Sequence, residues 1–289
     1  MPGAKTGLVL EGGGIRGIYT AGVLDVFLDE GIEFDGVIGV SAGVIHGCSY
    51  LSKQRGRSVR YMTKYCMDPR FMSLKSWLKT GDIVGADFCY HEIPDRLDPF
   101  DHDAYEQRTA KFYATVTNLE TGKAEHIELS ELREGIEWVR ASASLPYFSR
   151  PVEINSVKYL DGGCADSVPV QAFRDMGYGR NVVILTKEAG YRKKPEASLM
   201  TKLKYRKYPE FAKALLTRAE DYNRCMDEIL EMEKRGEVFL IQPSVKLDIG
   251  RTDTDPDKIQ RAYDQGVADA KALLGELKTW MKGKNTENP

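Results

Sequence analysis

A pentapeptide at residues 39–43 carries the strongest chemical signal in the sequence. It reads Gly39-Val40-Ser41-Ala42-Gly43, follows a short apolar run and precedes a helical pattern. A Gly-x-Ser-x-Gly sequence between a strand and a helix is typical of a nucleophile elbow, a turn so sharp that the residues two positions from the serine must be small. The following helix would point its free N–H groups at an oxyanion formed beside the serine. The pattern therefore predicts Ser41 as a nucleophile.

A glycine-rich segment, GGGIRG at residues 12–17, precedes the pentapeptide and lies between a predicted strand and a predicted helix. Glycine N–H groups can approach a developing negative charge closely because no side chain stands in the way. We therefore expect the N–H groups of Gly12, Gly13 and Gly14 to form an oxyanion hole beside Ser41.

The same segment also satisfies the dinucleotide-binding pattern G-x-G-x-x-G, so a dinucleotide-binding oxidoreductase is the alternative. Asp35 lies at about the right distance along the chain for a ribose-binding acid. However, it precedes the second predicted strand, whereas that role requires the carboxyl end of the strand. Ser41 occupies that end instead, and the oxidoreductase interpretation leaves the pentapeptide unexplained.

A serine nucleophile needs a base, and the positions of the histidines indicate that this base is a carboxylate. The four histidines are His46, His91, His102 and His126. None of them follows Asp161, so the usual hydrolase order of Ser, then Asp or Glu, then His is impossible for that acid. Asp161 is the best candidate base because it ends a predicted strand and precedes Gly162 and Gly163. Desolvation would raise its proton affinity, and a strong oxyanion hole would lower the demand on it.

Three motifs taken together resemble those of the patatin-like phospholipase family. They are GGGIRG at 12–17, GVSAG at 39–43 and DGG at 161–163. Their order and spacing match the family, and the segment ASASLP at 141–146 is similar to the one that precedes the family's acid. The resemblance covers roughly residues 6–190, and nothing after about residue 190 indicates which lipid is preferred.

The resemblance implies acyl-ester hydrolysis by a Ser–Asp dyad, with Ser41 as the nucleophile and Asp161 as its base. It also implies that Arg16 supports the glycine loop. The remaining supporting positions are Gly17, Gly39, Gly43, Gly162 and Gly163. The expected substrate is a lipid or another acyl ester, attacked through an acyl-serine intermediate without a metal or an organic cofactor. A catalytically silent lipid-binding protein remains a second alternative.

Strands and helices alternate along the first part of the chain. Strand-like segments at 6–10 and 36–40 are followed by helical patterns at 17–30 and 42–53. This order predicts an α/β fold with a mainly parallel central sheet and helices on both faces, related to the three-layer α/β-hydrolases. We expect a catalytic core over 6–190 and a mostly helical C-terminal region over 191–289 packed on the same domain. Between residues 55 and 108 the pattern is less clear, with helical patterns at 58–66 and 73–79 between turn-rich segments.

The length, net charge and cysteine count indicate an ordinary globular chain without an affinity for nucleic acid. The 289 residues carry a formal net charge of −2, and the five cysteines are odd in number and widely spaced, as expected for reduced thiols in the cytoplasm. No run is long and apolar enough for a membrane span. The segment from Lys187 to Lys207 contains eight basic residues and only two acidic ones, Glu188 and Glu196. This segment suggests peripheral contact with an anionic membrane surface, with a solvated helical face as the simpler interpretation.

Overall fold

A mixed sheet of eight strands forms the centre of the described residues, 5–195 and 197–283, in a computed structural model of the chain. The strands are Thr6–Leu10 (β1), Gly36–Val40 (β2), Lys111–Asn118 (β3), Ala124–Glu128 (β4), Val152–Ile154 (β5), Val157–Asp161 (β6), Arg180–Ile184 (β7) and Val238–Ile241 (β8). Their order is β5-β6-β3-β2-β1-β7-β8, and β4 pairs with β3. β1, β2, β3, β7 and β8 run parallel, whereas β4, β5 and β6 pair antiparallel. The prediction of a mainly parallel sheet is confirmed.

Helices cover both faces of this sheet. They are Ile18–Asp29 (α1), Ala42–Leu51 (α2), Arg57–Tyr65 (α3), Leu74–Thr80 (α4), His102–Glu106 (α5), Leu132–Ser142 (α6), Val170–Asp175 (α7), Ser198–Lys204 (α8), Pro209–Lys234 (α9) and Pro256–Lys282 (α10). In β1, Leu8 and Leu10 belong to the apolar cluster that contains α1 and α10, whereas Val9 belongs to the one that contains α7 and α9. Alternate side chains of one strand thus enter two cores, which explains its uninterrupted apolar sequence.

The segment with an unclear sequence pattern folds into short helices. It contains α3, α4 and α5, together with a π-helix at Phe88–Leu97. A 3₁₀ turn at Gly14–Gly17 precedes α1, which begins at Ile18, within one residue of the predicted start. Of the basic segment 187–207, only Ser198–Lys204 is helical, and Glu196 lies outside the described residues.

The two longest helices belong to the C-terminal part of the chain, and α10 packs directly on α1. The backbones of α1 and α10 approach closely at a glycine on each helix. A Cβ added at Gly22 would lie 2.2 Å from the carbonyl oxygen of Tyr263, and a Cβ added at Gly266 would lie 2.1 Å from the carbonyl oxygen of Tyr19. On either side, Tyr19 Oη donates to Asp269 at 3.1 Å and Tyr263 Oη donates to Asp25 at 2.7 Å. We keep the division at residue 190 as a proposal, and residues 284–289 lie outside the described part.

Candidate active site

Ser41 connects the end of β2 to the first residue of α2 in a strained conformation. Its backbone angles are φ 56° and ψ −121°, and its exposed fraction is 4%. An L-residue adopts this region rarely, at a cost on the order of 1–3 kcal/mol. Such strain persists only where the surrounding packing enforces it, and in a nucleophile elbow it points the serine side chain away from both flanking elements.

The glycines on either side of Ser41 are required by contacts with neighbouring backbone. A Cβ added at Gly39 would lie 2.7 Å from the nitrogen of Val44, and one at Gly43 would lie 2.4 Å from the carbonyl oxygen of Leu10. Both distances are shorter than the contacts that Cβ atoms make with other heavy atoms. The two glycines of the pentapeptide therefore allow α2 to fold back tightly over β1 and β2.

The end of α6 and the residues that follow it form hydrogen bonds to both predicted catalytic residues. The N–H of Ser41 donates to Ser142 Oγ at 2.9 Å, and Ser142 Oγ in turn donates to the carbonyl oxygen of Thr115 at 2.7 Å. Two residues further on, the carbonyl oxygen of Ser144 accepts from the N–H of Asp161 at 2.9 Å. Residues 141–146 thus act as a positioning segment for Ser41 and Asp161 together.

Asp161 reaches the neighbourhood of Ser41 because β3 is longer than β2. The first five residues of β3 pair with β2, and Val116–Asn118 continue beyond it and pair with β6. Asp161, the last residue of β6, lies opposite Val116, directly after the end of β2. Its side chain is 3% exposed, and Oδ1 accepts from the N–H of Gly163 at 2.8 Å. Ser41 and Asp161 line one cavity of about 350 Å³.

The glycine loop passes directly beside Ser41. A Cβ added at Gly12 would lie 3.0 Å from Ser41 Cβ, and Gly14 has a positive φ of 58°. The loop is held at its ends, where the N–H of Glu11 donates to Ile184 at 3.1 Å and the N–H of Ile15 donates to Arg251 at 3.0 Å. Within the described chain, no backbone carbonyl accepts from the three glycine N–H groups between these ends.

Arg16 and Glu11 fasten the glycine loop to the segment after β7. Arg16 Nε donates to the carbonyl oxygen of Thr186 at 3.0 Å. One carboxylate oxygen of Glu11 accepts from the Thr186 N–H at 2.6 Å, and the other accepts from Tyr222 Oη of α9 at 3.0 Å. Gly17 serves packing instead, because a Cβ there would lie 2.5 Å from that of Ala42. The glycine loop is therefore held by contacts with the segment after β7, with α9 and with α2.

Two cavities of different chemistry meet at Ser41. One, of about 330 Å³, is mainly apolar; its lining includes Ile45, Met62, Phe71, Met72, Ile93, Ile136 and Leu145. The other, which Asp161 lines, is cationic; its lining includes Arg16, Lys187, Arg192, Lys193, Lys194, Arg218 and Arg251. We call them the apolar cavity and the cationic cavity.

Three of the four histidines, His46, His91 and His102, line the apolar cavity and not the cavity that Asp161 lines. His46 is 2% exposed, its Nδ1 lies 3.0 Å from Ser58 Oγ, and burial lowers the pKa of its imidazole to about 3. His126 Nδ1 lies 3.1 Å from Thr115 Oγ1 on the sheet. Among the described residues, no histidine lines the cationic cavity, and no three His, Cys, Asp or Glu side chains are grouped as metal ligands.

Sequence reasoning missed two cations of the site, Arg218 and Arg251. Arg218 is only 8% exposed, and its Nη2 would lie 3.3 Å from a Cβ added at Gly163. The available signal was its spacing: Arg218 falls between Leu215 and Tyr222 on the apolar face of α9, where an arginine is unusual unless paired or functional. Arg251 had no such signal, because it lies in a loop.

Comparisons with known proteins give a family and several relatives. A sequence model described as patatin-like phospholipase matches residues 8–174, and one described as a domain of unknown function (DUF6363) matches residues 208–282. The uncharacterized protein YjjU of Escherichia coli K12 is 29% identical over 186 residues, which are 63% of this chain and 52% of that protein.

Lysophospholipase NTE1 of Saccharomyces cerevisiae is 30% identical over 183 residues, or 61% of this chain and 10% of that protein. The chain therefore spans about half of one of these relatives and a tenth of the other. The crystal structure of VipD from Legionella pneumophila covers 95% of this chain, with 67% of the VipD chain aligned, a TM-score of 0.46 and 12% identity.

Proposed function

Because the chain belongs to the patatin-like phospholipase family, we propose that it is a serine hydrolase of lipid acyl esters. The observation that most supports this activity is the position of Ser41, a strained and buried serine at the junction of an apolar cavity and a cavity that Asp161 lines. An ester bound there has its acyl chain in the apolar cavity and its alcohol part in the cationic one.

The proposed mechanism uses the chain's own residues throughout. Asp161 accepts the proton of Ser41 Oγ as the oxygen attacks the ester carbonyl carbon, and the N–H groups of Gly12, Gly13 and Gly14 stabilise the tetrahedral oxyanion. Collapse breaks the ester C–O bond, and the proton on Asp161 passes to the leaving alcohol. Asp161 then deprotonates a water molecule that attacks the acyl-serine, the bond between the acyl carbon and Ser41 Oγ breaks, and the proton passes from Asp161 to Ser41 Oγ as the acid is released.

Labelling with a fluorophosphonate probe tests the dyad in wild type, Ser41→Ala and Asp161→Asn. We expect Ser41→Ala to lose all labelling and Asp161→Asn to label at least about a hundredfold more slowly, as is typical when a general base is removed. Asp175→Asn, at an exposed aspartate of α7, is the matched control and should label normally. Labelling that persists in Ser41→Ala would refute the mechanism.

In this fold Asp35 is not placed to serve as the ribose-binding acid that the dinucleotide-binding alternative requires. Asp35 Oδ2 accepts from the N–H of Thr6 at 2.6 Å, at the amino ends of β1 and β2, whereas the glycine loop follows the carboxyl end of β1. A catalytically silent lipid-binding protein is distinguished by the same labelling, because it would fold but would not react with the probe.

We also propose that the chain contacts an anionic lipid surface through α4 and α8. Leucines on these helices are unusually exposed: Leu74 by 69%, Leu78 by 79%, Leu199 by 72% and Leu203 by 64%. The cations beside them are Lys75, Lys79, Lys202 and Lys204. An apolar face bordered by lysines is typical of an interfacial helix.

The loop between α6 and β5 contacts residues at both helices, and this surface lies beside the apolar cavity. The carbonyl oxygen of Phe148, a 43% exposed residue, accepts from the N–H of Ile83 just after α4, and Tyr147 Oη lies 2.7 Å from Thr201 Oγ1 of α8. Met72, which precedes α4, lines the apolar cavity. Lipid at this surface would be next to the acyl-chain site. No helix in the described ranges has the length and apolarity to cross a bilayer.

A further inference from the structure

The cationic cavity holds far more positive than negative charge. Among the residues that the structure describes, seven lysine or arginine side chains line it, against the two carboxylates of Glu11 and Asp161. Glu11 is already engaged by Thr186 and Tyr222, and Asp161 accepts from the N–H of Gly163. Of the seven cations, Arg192 forms an ion pair outward with Asp227 of α9. With Arg218 also set aside, the other five lysine and arginine side chains still outnumber the two carboxylates of the cavity.

Aromatic rings hold two of these cations, Lys187 and Lys193, at the cavity. Lys193 Nζ lies 4.1 Å from the centroid of the Tyr222 ring and donates to Ser167 Oγ at 3.1 Å. Lys187 Nζ lies 4.5 Å from the centroid of the Tyr191 ring. A cation over an aromatic face is fixed in position while its remaining N–H groups stay available to a ligand. The ammonium groups are therefore preorganised and not solvated at random.

The electrostatic cost of this arrangement is visible in Lys193. Burial, followed by repulsion from Arg218 and Arg251, lowers the pKa of its ammonium to about 7, although Glu11 and Asp161 act in the opposite direction. Like charges in a partly desolvated cavity repel each other strongly, and a bound anion would relieve that repulsion. Binding energy is thus available to a ligand with negative charge.

We propose that the cationic cavity is an anion subsite that binds a phosphate group on the alcohol part of the ester substrate. This inference rests on the proposed function, because the cavity shares Ser41 with the acyl-chain site. Arginine and lysine together suit a phosphate, since the guanidinium offers paired donors and the ammonium a point charge. Because the cavity adjoins Ser41, the alcohol that is esterified must be small and must also carry the phosphate group.

Apart from Arg16, the cations of the subsite lie outside the segment that matches the patatin-like phospholipase model. Lys187, Lys193, Arg218 and Arg251 all follow residue 174, and the last two lie within 208–282. The C-terminal part of the chain therefore contributes substrate selectivity, while the matched segment contributes Ser41 and Asp161.

Two esters that differ only in the phosphate test the proposal: a monoacylglycerol 3-phosphate and the monoacylglycerol with the same acyl chain. We expect wild type to favour the phosphate ester in kcat/KM by about tenfold or more, mainly through KM. In Lys193→Gln/Arg251→Gln this preference should fall by about tenfold or more. Lys193→Arg should keep most of it, because it keeps the charge.

Lys271→Gln, at an exposed lysine of α10, is the matched control and should keep the wild-type preference. Equal kcat/KM for the two esters in wild type would overturn the proposal. So would an undiminished preference in a double variant that circular dichroism shows to be folded.

Calorimetry with Ser41→Ala protein separates the anion subsite from the proposed activity. We expect glycerol 3-phosphate and inorganic phosphate to bind, and the Lys193 and Arg251 substitutions to weaken both. Phosphate binding without discrimination between the two esters would assign the cavity to free phosphate and overturn the head-group role. Binding of glycerol 3-phosphate with no hydrolysis of either ester would instead refute the proposed function and leave the subsite intact.

Discussion

At the scale of single residues, Ser41 combines a functional side chain with an unfavourable backbone conformation. Glycine adopts its φ of 56° and ψ of −121° without steric cost, whereas alanine retains the strain. The strain relieved exceeds the entropy that glycine adds to the unfolded chain. We therefore expect Ser41→Gly to be more stable than Ser41→Ala by about 1 kcal/mol, although both are inactive. Urea unfolding of the two variants measures the difference, and equal midpoints would show that the turn is not strained in solution.

Lys193 makes the anion subsite sensitive to pH near neutrality. Its ammonium, with a pKa of about 7, faces Arg218 and Tyr222 of α9, Glu11 and Asp161 of the core, and Arg251. Below pH 7 it is charged and attracts phosphate, and above pH 7 it loses that charge. We expect KM for the monoacylglycerol 3-phosphate to rise as pH increases through about 7, and Lys193→Gln to flatten this rise. KM profiles from pH 6 to 9 test this, and a rise retained in Lys193→Gln would assign it to another group.

At the scale of elements, the contact between α1 and α10 depends on two glycines. A Cβ at Gly266 would lie 2.1 Å from the carbonyl oxygen of Tyr19, so Gly266→Ala must separate the helices and should cost about 3 kcal/mol of unfolding free energy. Gly275, on the same helix, has no atom within 4 Å of such a Cβ, so Gly275→Ala should stabilise by about 0.5–1 kcal/mol. Thermal unfolding compares the two, and similar effects would contradict the close helix contact.

The exposed faces of α4 and α8 provide a second test at this scale. Each leucine that enters a lipid surface contributes about 1.5–3 kcal/mol, so Leu78→Glu/Leu203→Glu should lower the affinity for anionic phospholipid vesicles by at least about tenfold. Leu230→Glu, at a 40% exposed leucine of α9, should bind like wild type. Cosedimentation with vesicles is the measurement. A double variant that binds normally, or that changes from a dimer to a monomer, would assign these faces to another role.

At the scale of the whole molecule, we expect residues 6–190 and the C-terminal region to unfold as one cooperative unit. Residues 18–27 of α1 are buried throughout, and α10 covers this helix. The carbonyl oxygen of Arg251 also accepts from Ile15 at the end of the glycine loop. A chain ended at residue 190 should therefore lack a cooperative thermal transition and fail to label with fluorophosphonate. A folded and reactive 1–190 fragment would show instead that the two parts are independent domains.

Much of the sheet was predictable from the sequence because its signals are local. β1 and β2 begin and end as their apolar runs predicted, and Ser41 lies between β2 and α2 as the pentapeptide required. Residues 55–108 were predictable only in part. The helical patterns at 58–66 and 73–79 correspond to α3 and α4, whereas the five-residue α5 depends on tertiary contacts more than on a repeating apolar face. The π-helix at Phe88–Leu97 has no distinct sequence pattern and contains Pro94.

The sequence by itself determined the fold class, the family and the motif residues, because close backbone contacts admit only glycine at fixed positions in the chain. The tertiary structure decided which distant residues meet there. The pairing of β6 with the end of β3 brings Asp161 to the end of β2. Likewise, α9 and the loop before α10 bring Arg218 and Arg251 into the same cavity. These contacts join residues far apart in the chain, and no local pattern encodes them.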